Sequence, residues 1–206
     1  MSRPGPRQEL QALRVFLAKI ERQFLAKHLG KSSLGTPSDA ESLDVAAYVV
    51  LAHGAFENFA EGVGLWTVSR VRHNWQMQKR ATRATASLLL HLGRNPPSDD
   101  ESRTVYDTLR LALDDAKSAY SQDIGLNHGV ELRHLRSVFR RLGVDVPEDP
   151  TLVASLDLLV KMRHQWAHQY RFSAKTLKTA ADVRTTVGDC LRLASELVAN
   201  VGKVRP

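Results

Sequence analysis

The strongest constraint in this chain is a period. Apolar residues recur at alternating steps of three and four through most of its length, and no stretch shows the sustained two-residue alternation of a strand bounded by hairpin turns. Leu10, Leu13, Leu17, Ile20 and Phe24 line one face of a first helix, and Gly30 stands where a left-handed terminating residue is wanted. Ser38 and Glu41 have capping-box spacing, so a second helix begins there and runs through Val45, Val49, Ala52, Phe56 and Phe59. It is apolar on nearly every side, which assigns it to the centre of a bundle. It is expected to continue, bent near Gly62 and Gly64, into the basic region 66–83.

Asn95-Pro-Pro-Ser-Asp-Asp interrupts the pattern. Past it, Val105, Leu109, Leu113, Ala116 and Tyr120 define a helix ending before Gly125, and Leu132, Leu135, Phe139 and Leu142 a shorter one closed by Gly143. Asp149-Pro150 reads as an N-cap with proline at the first helical position, opening a helix through Leu152, Leu156 and Leu159. The last helix carries Val183, Val187, Cys190, Ala194, Leu197 and Val201. The expected fold is a single all-α domain over 1–206, a bundle with a core of about four long helices and short extra ones. At 206 residues, 43% hydrophobic and 25% charged, the chain has ordinary globular composition and can bury a real core.

The single Cys190 excludes an intrachain disulfide framework and a cysteine-based zinc site, and fits a reducing compartment. The opening Met1-Ser-Arg-Pro-Gly-Pro lacks the apolar core of a signal peptide, and Val45–Ala52 is the longest apolar run, far short of the roughly 18 residues of a membrane span. A soluble cytoplasmic protein without membrane contact is expected.

The segment Lys161-Met-Arg-His-Gln-Trp-Ala-His-Gln-Tyr170 carries the most chemistry. Extending the apolar seam of 152, 156 and 159 by the same steps reaches 163, 166 and 170, and position 163 is arginine. In a continuous helix its guanidinium points toward the bundle interior, where an unpaired charge costs several kcal/mol. His53, Glu57 and Glu61 form a polar stripe on the central helix at four-residue steps, and Glu57 facing Arg163 would satisfy both. A structural ion pair and a catalytic role are both compatible with that arrangement. His164 and His168 lie one turn apart, a spacing that helical zinc sites use, but Gln165 occupies the place of a zincin's catalytic glutamate and no third ligand cluster accompanies the pair.

Arg163, four residues, His168, one residue and Tyr170 give R-x4-H-x-Y, which resembles the signature of HEPN domains, an all-α superfamily of nucleotide-binding proteins and ribonucleases. The lead-in Leu156-Asp-Leu-Leu-Val-Lys-Met resembles the leucine-rich approach to the family's R-N-x-x-A-H core. Asn127-His-Gly-Val-Glu-Leu and Leu142-Gly-Val-Asp-Val are similar to the connection preceding the motif in larger stand-alone HEPN proteins, and Ala55-Phe-Glu-Asn-Phe-Ala60 to their central helix. The resemblance spans residues 40–172 and departs at His164, where Asn or Asp is more usual.

The resemblance implies a metal-independent endoribonuclease with no cofactor. The RNA 2′-hydroxyl is its nucleophile, and the products are a 2′,3′-cyclic phosphate and a 5′-hydroxyl. His168 would act as general acid or base and Arg163 would hold the scissile phosphate, with His164 and Glu57 orienting them. It further implies a toxin–antitoxin or antiphage setting, with a cognate antitoxin or nucleotidyltransferase as partner and Tyr170 as the residue such a partner would nucleotidylate; Tyr170 could equally complete the apolar seam.

Positions five apart on an ideal helix stand about 140° apart around its axis, so Arg163 and His168 of one straight helix do not readily face one phosphate. Either the helix is irregular there, or a homodimer brings two motifs into one cleft at its two-fold axis, as the resemblance implies.

Charge points to RNA independently. Lys and Arg number 29 against 22 Asp and Glu, a net charge of +7. No acidic residue lies between Glu61 and Asp99, an interval holding Arg70, Arg72, Lys79, Arg80, Arg83 and Arg94 with Trp66 and Trp75. Basic side chains interleaved with aromatics can hold phosphates and stack bases, although the tryptophans also fit a core. Arg133, Arg136, Arg140 and Arg141 form a second cluster on the outer face of a short helix. The competing readings are a non-catalytic HEPN-like nucleotide- or RNA-binding module and a helical scaffold in which Arg163 merely pairs with Glu57.

Overall fold

The central element is a single helix of 40 residues, about 60 Å long at ~1.5 Å per residue. The computed structural model describes residues 4–30, 37–93, 104–126, 129–168, 178–204 and 206, the side chains of Ala167 and His168 excepted. Among these residues the chain forms α1 (Pro6–Ile20), prolonged by a π-helical turn at Glu21–Leu25, then α2 (Asp39–Gln78), α3 (Arg83–Leu92), α4 (Val105–Leu126), α5 (Leu132–Arg140), α6 (Pro150–His168) and α7 (Ala180–Lys203). There is no strand among them. The Asn95 break, Arg94, Asn127-His128 and Tyr170 lie outside the described residues.

Helix α2 starts where the sequence directs, the Ser38 hydroxyl accepting from the Glu41 N–H at 3.2 Å. From Val45 to Asn74 it buries residues at steps of three and four, and every other helix packs against it. It is uninterrupted helix through Gly62 and Gly64. Gly64 answers a packing demand instead, since a Cβ there would lie 2.6 Å from the Tyr120 hydroxyl and 3.0 Å from Val138. That fully buried hydroxyl donates to the Val138 carbonyl at 3.0 Å, tying α4 to α5 across the glycine.

The end of this helix is blurred in the sequence. α2 ends at Gln78, capped by Lys79 in the left-handed region with φ of 50°, short of the 83 to which the periodicity carried it, and α3, which opens at Arg83 behind the cap Thr82, was not read from the sequence. α4 continues through Gly125 to Leu126. Among the elements read correctly, Asp149 caps α6 by accepting from the N–H groups of Thr151 (2.9 Å) and Leu152 (3.1 Å). α5 buries Leu135, Val138 and Phe139 and ends before Gly143, whose φ is 66°.

The longest contact seam runs between α6 and α7, and α6 also lies along α2. Short α5 crosses near both α2 and α6. That three-way meeting of α2, α5 and α6 positions the site.

Candidate active site

Where the three elements meet, the structure leaves a cavity of about 510 Å³. α2 contributes His53 and Glu57, one turn apart on one face. α6 contributes Val160, Arg163 and His164; the connection into α5 contributes Gly129, Val130 and Glu131, and α5 itself Arg133 and His134. The volume falls within the range of small-ligand sites, and ionisable side chains dominate the wall.

Arg163 does not enter the bundle interior as the extended seam predicts. Met162 takes the buried place at 3% exposure, and Arg163, one residue on, is half-buried and opens onto the cavity. An open cavity keeps the guanidinium solvated and removes the desolvation cost that a sealed position imposes. Glu57 is half-buried on the same wall, yet among the described residues no ion pair joins it to Arg163. The structure therefore brings the two together without pairing them. Glu131 is paired, but with its neighbour Arg133 at 2.6 Å. Arg163 and Glu57 remain, with three imidazoles, those of His53, His134 and His164.

His53 is the most enclosed of these groups, at 6% exposure. Burial holds its pKa below the usual histidine value; the positive charge of Arg163 and the nearby His164 add to that lowering, and Glu57 and Glu131 oppose it. The ring is therefore neutral at neutral pH. His134 sits beneath Gly129, whose φ is 131° and where a Cβ would lie only 2.6 Å from the His134 Nδ1. That Nδ1 is buried with no hydrogen-bond partner.

α6 is regular helix from Pro150 to His168, so the irregular-helix alternative for the motif does not apply. Position 168 is one turn beyond His164 and about 40° around the axis from it, while it stands about 140° from position 163. What the side chain of His168 touches lies outside the described residues, as does Tyr170.

The basic segment is elsewhere. Arg70 lies 13 residues along α2 from Glu57, about 20 Å at ~1.5 Å per residue, and Arg80 is farther still. Arg72 pairs with Asp114, and Arg83 with Asp145 at 3.3 Å. Lys79 places its ammonium 4.7 Å from the centre of the Tyr106 ring, and Trp75 stacks on that ring at 5.7 Å. Arg70 and Arg80 are exposed. Of the second cluster, Arg136 pairs with Glu148 at 2.7 Å and Arg141 with Asp123. Trp66 and Trp75 are half-buried and pack against the core.

Sequence reasoning found Arg163, His164 and Glu57 on the cavity wall and gave no site role to His53, Glu131, Arg133 or His134. The one local signal was the spacing of His53 from Glu57; the rest depends on α5 crossing α2 and α6. Among the described residues, no group of three or more His, Cys, Asp or Glu is arranged to hold a metal ion, and no helix is long and apolar enough to cross a membrane. Burial pushes the Cys190 thiol up to about 12, which leaves it protonated and inert. A family model described as RiboL-PSP-HEPN matches residues 17–200, which include every residue of the cavity wall. No curated protein and no solved structure matches the chain.

Proposed function

The chain belongs to the RiboL-PSP-HEPN family, and from that premise we propose that it is a metal-independent endoribonuclease whose site is the cavity between α2, α5 and α6. The observation that carries this reading is the opening of Arg163, Glu57 and His164 onto one cavity. A planar guanidinium can take two non-bridging phosphate oxygens and stabilise the charge that grows on them as the 2′-oxygen attacks. The O2′–P bond forms as the P–O5′ bond breaks, giving a 2′,3′-cyclic phosphate and a 5′-hydroxyl. His168 exchanges a proton with one of these oxygens, a role worth about 10²–10⁴ in rate. Glu57 and His164 orient the guanidinium and the substrate.

A straight α6 separates positions 163 and 168 by about 140°, which favours a two-fold dimer in which Arg163 of one protomer works with His168 of the other. The exposed Arg70 and Arg80 would then guide the flanking RNA. A toxin or antiphage role with a neutralising partner, acting on Tyr170 or on the site itself, follows from the same reading.

Labelled single-stranded RNA incubated with the protein in EDTA, beside Arg163→Ala and His168→Ala, tests it. Cleavage that survives chelation and falls at least 10²-fold in each variant is the expected result. Equal cleavage by the variants would expose a contaminant, and retention of RNA without cleavage would favour a binding module.

A further inference from the structure

We propose that His53 is a second proton-transfer residue of the cavity, the base that takes the proton from the attacking 2′-hydroxyl. The proposal rests on the endoribonuclease reading and assigns a part of that chemistry left open by it. Transesterification moves two protons: one leaves O2′ as the O2′–P bond forms, and one reaches O5′ as the P–O5′ bond breaks. One imidazole cannot be base and acid at once, so a site whose acid is the His168 imidazolium needs an acceptor. After product leaves, His53 returns its proton to water and His168 is reprotonated from water, so the cycle closes.

Geometry singles out His53. Buried histidines are ordinarily hydrogen-bonded, and this chain holds such a case in His28, whose Nε2 lies 2.7 Å from the Asp44 carboxylate. His53 is as deeply enclosed, at 6% against 7% exposure, yet neither of its ring nitrogens has a hydrogen-bond partner among the described residues. Neither nitrogen is sealed from solvent like the His134 Nδ1. The residue lines the cavity that Arg163 shares. An enclosed imidazole on the wall of a cavity that also holds a guanidinium has the form of a base.

The charges around it suit that work. On its own helix Glu57 stands one turn away; α6 presents Arg163 and His164; the segment leading into and through α5 presents Glu131, Arg133 and His134. Burial, Arg163 and His164 keep the ring neutral below the pH at which an exposed histidine loses its proton, against Glu57 and Glu131. It is therefore ready to accept a proton across the physiological range.

The test is RNA cleavage against pH by the full chain and by His53→Gln, with His53→Gly assayed in buffers of imidazole and its substituted relatives. Thermal melts confirm that each variant is folded. His53→Gln is expected to lower kcat by about 10²–10⁴-fold with KM nearly unchanged. It also abolishes the acid limb of the profile, whose midpoint in the full chain lies below the ordinary histidine value. Free imidazole restores His53→Gly, more strongly for more basic imidazoles. A variant that keeps the full-chain rate and profile overturns the assignment, and so does a loss with an intact acid limb and no imidazole rescue, which marks a structural side chain. If the unmodified chain cleaves no RNA, the endoribonuclease reading falls and takes this inference with it; an active chain with an indifferent His53→Gln overturns this inference alone.

Discussion

Asp44 shows how a single side chain ties the turn after the π-helical segment to α2. Its carboxylate accepts from the buried His28 Nε2 at 2.7 Å and from the Lys27 ammonium at 2.8 Å, and these two bonds hold its pKa below the usual carboxylate value. Lys27 is 61% exposed and adds little; the His28 bond, with its imidazole 5% exposed, carries most of the effect. A carboxyl whose pKa is lowered by folding stabilises the native state above its unfolded value and loses that contribution as pH falls through the folded one. Urea unfolding of Asp44→Asn is expected to show a loss of about 1 kcal/mol at neutral pH, with a shallower decline below pH ~4 than the unmodified chain. Parallel acid declines in the two proteins would refute this account. The cavity is read at the same scale. Arg163, His164 and Glu57 were legible because each breaks or punctuates an apolar helix, whereas His134 and Arg133 were indistinguishable from a solvated basic face until α5 was placed.

Among the elements, α2 was legible as the central rod, but the reason for its glycine at 64 was not. A glycine inside a helix signals a bend when nothing else explains it, and here Tyr120, 56 positions along the chain from Gly64, is the explanation. Gly64→Ala is expected to displace the Tyr120 hydroxyl from the Val138 carbonyl and to cost about 1–3 kcal/mol, reduced by the better helix propensity of alanine. Gly54, on the same helix, has nothing within 4 Å of where a methyl group would sit, and Gly54→Ala should be stabilising by up to ~1 kcal/mol. Paired chemical denaturation of the two variants checks the contrast, and a Gly64→Ala chain as stable as the parent would show that the core there yields. The break between α2 and α3 was hidden because a lysine, not a glycine, takes the left-handed position at 79. The caps at Ser38 and Asp149, by contrast, are local hydrogen-bond chemistry and could be read from spacing alone.

For the whole molecule, the central expectation is assembly. If Arg163 and His168 act across a two-fold axis, a dimer of one Arg163→Ala chain and one His168→Ala chain has one intact site and one doubly damaged one. Random mixing of the two inactive variants should then recover about a quarter of the unmodified activity per chain. No recovery, with sedimentation showing mixed dimers, would place both residues of each site in one chain. Net charge is silent on placement at this scale: +7 is the sum over the chain, and within it Arg72, Arg83, Arg136 and Arg141 each have a carboxylate beside them. Only the partners, brought in from distant segments, distinguish a neutralised arginine from one left for a phosphate.

Because α2 touches every other helix, it is the hub through which each of them is held. The cavity draws its wall from α2, α5 and α6, so a substitution that loosens this rod is expected to blunt the site as well as the stability.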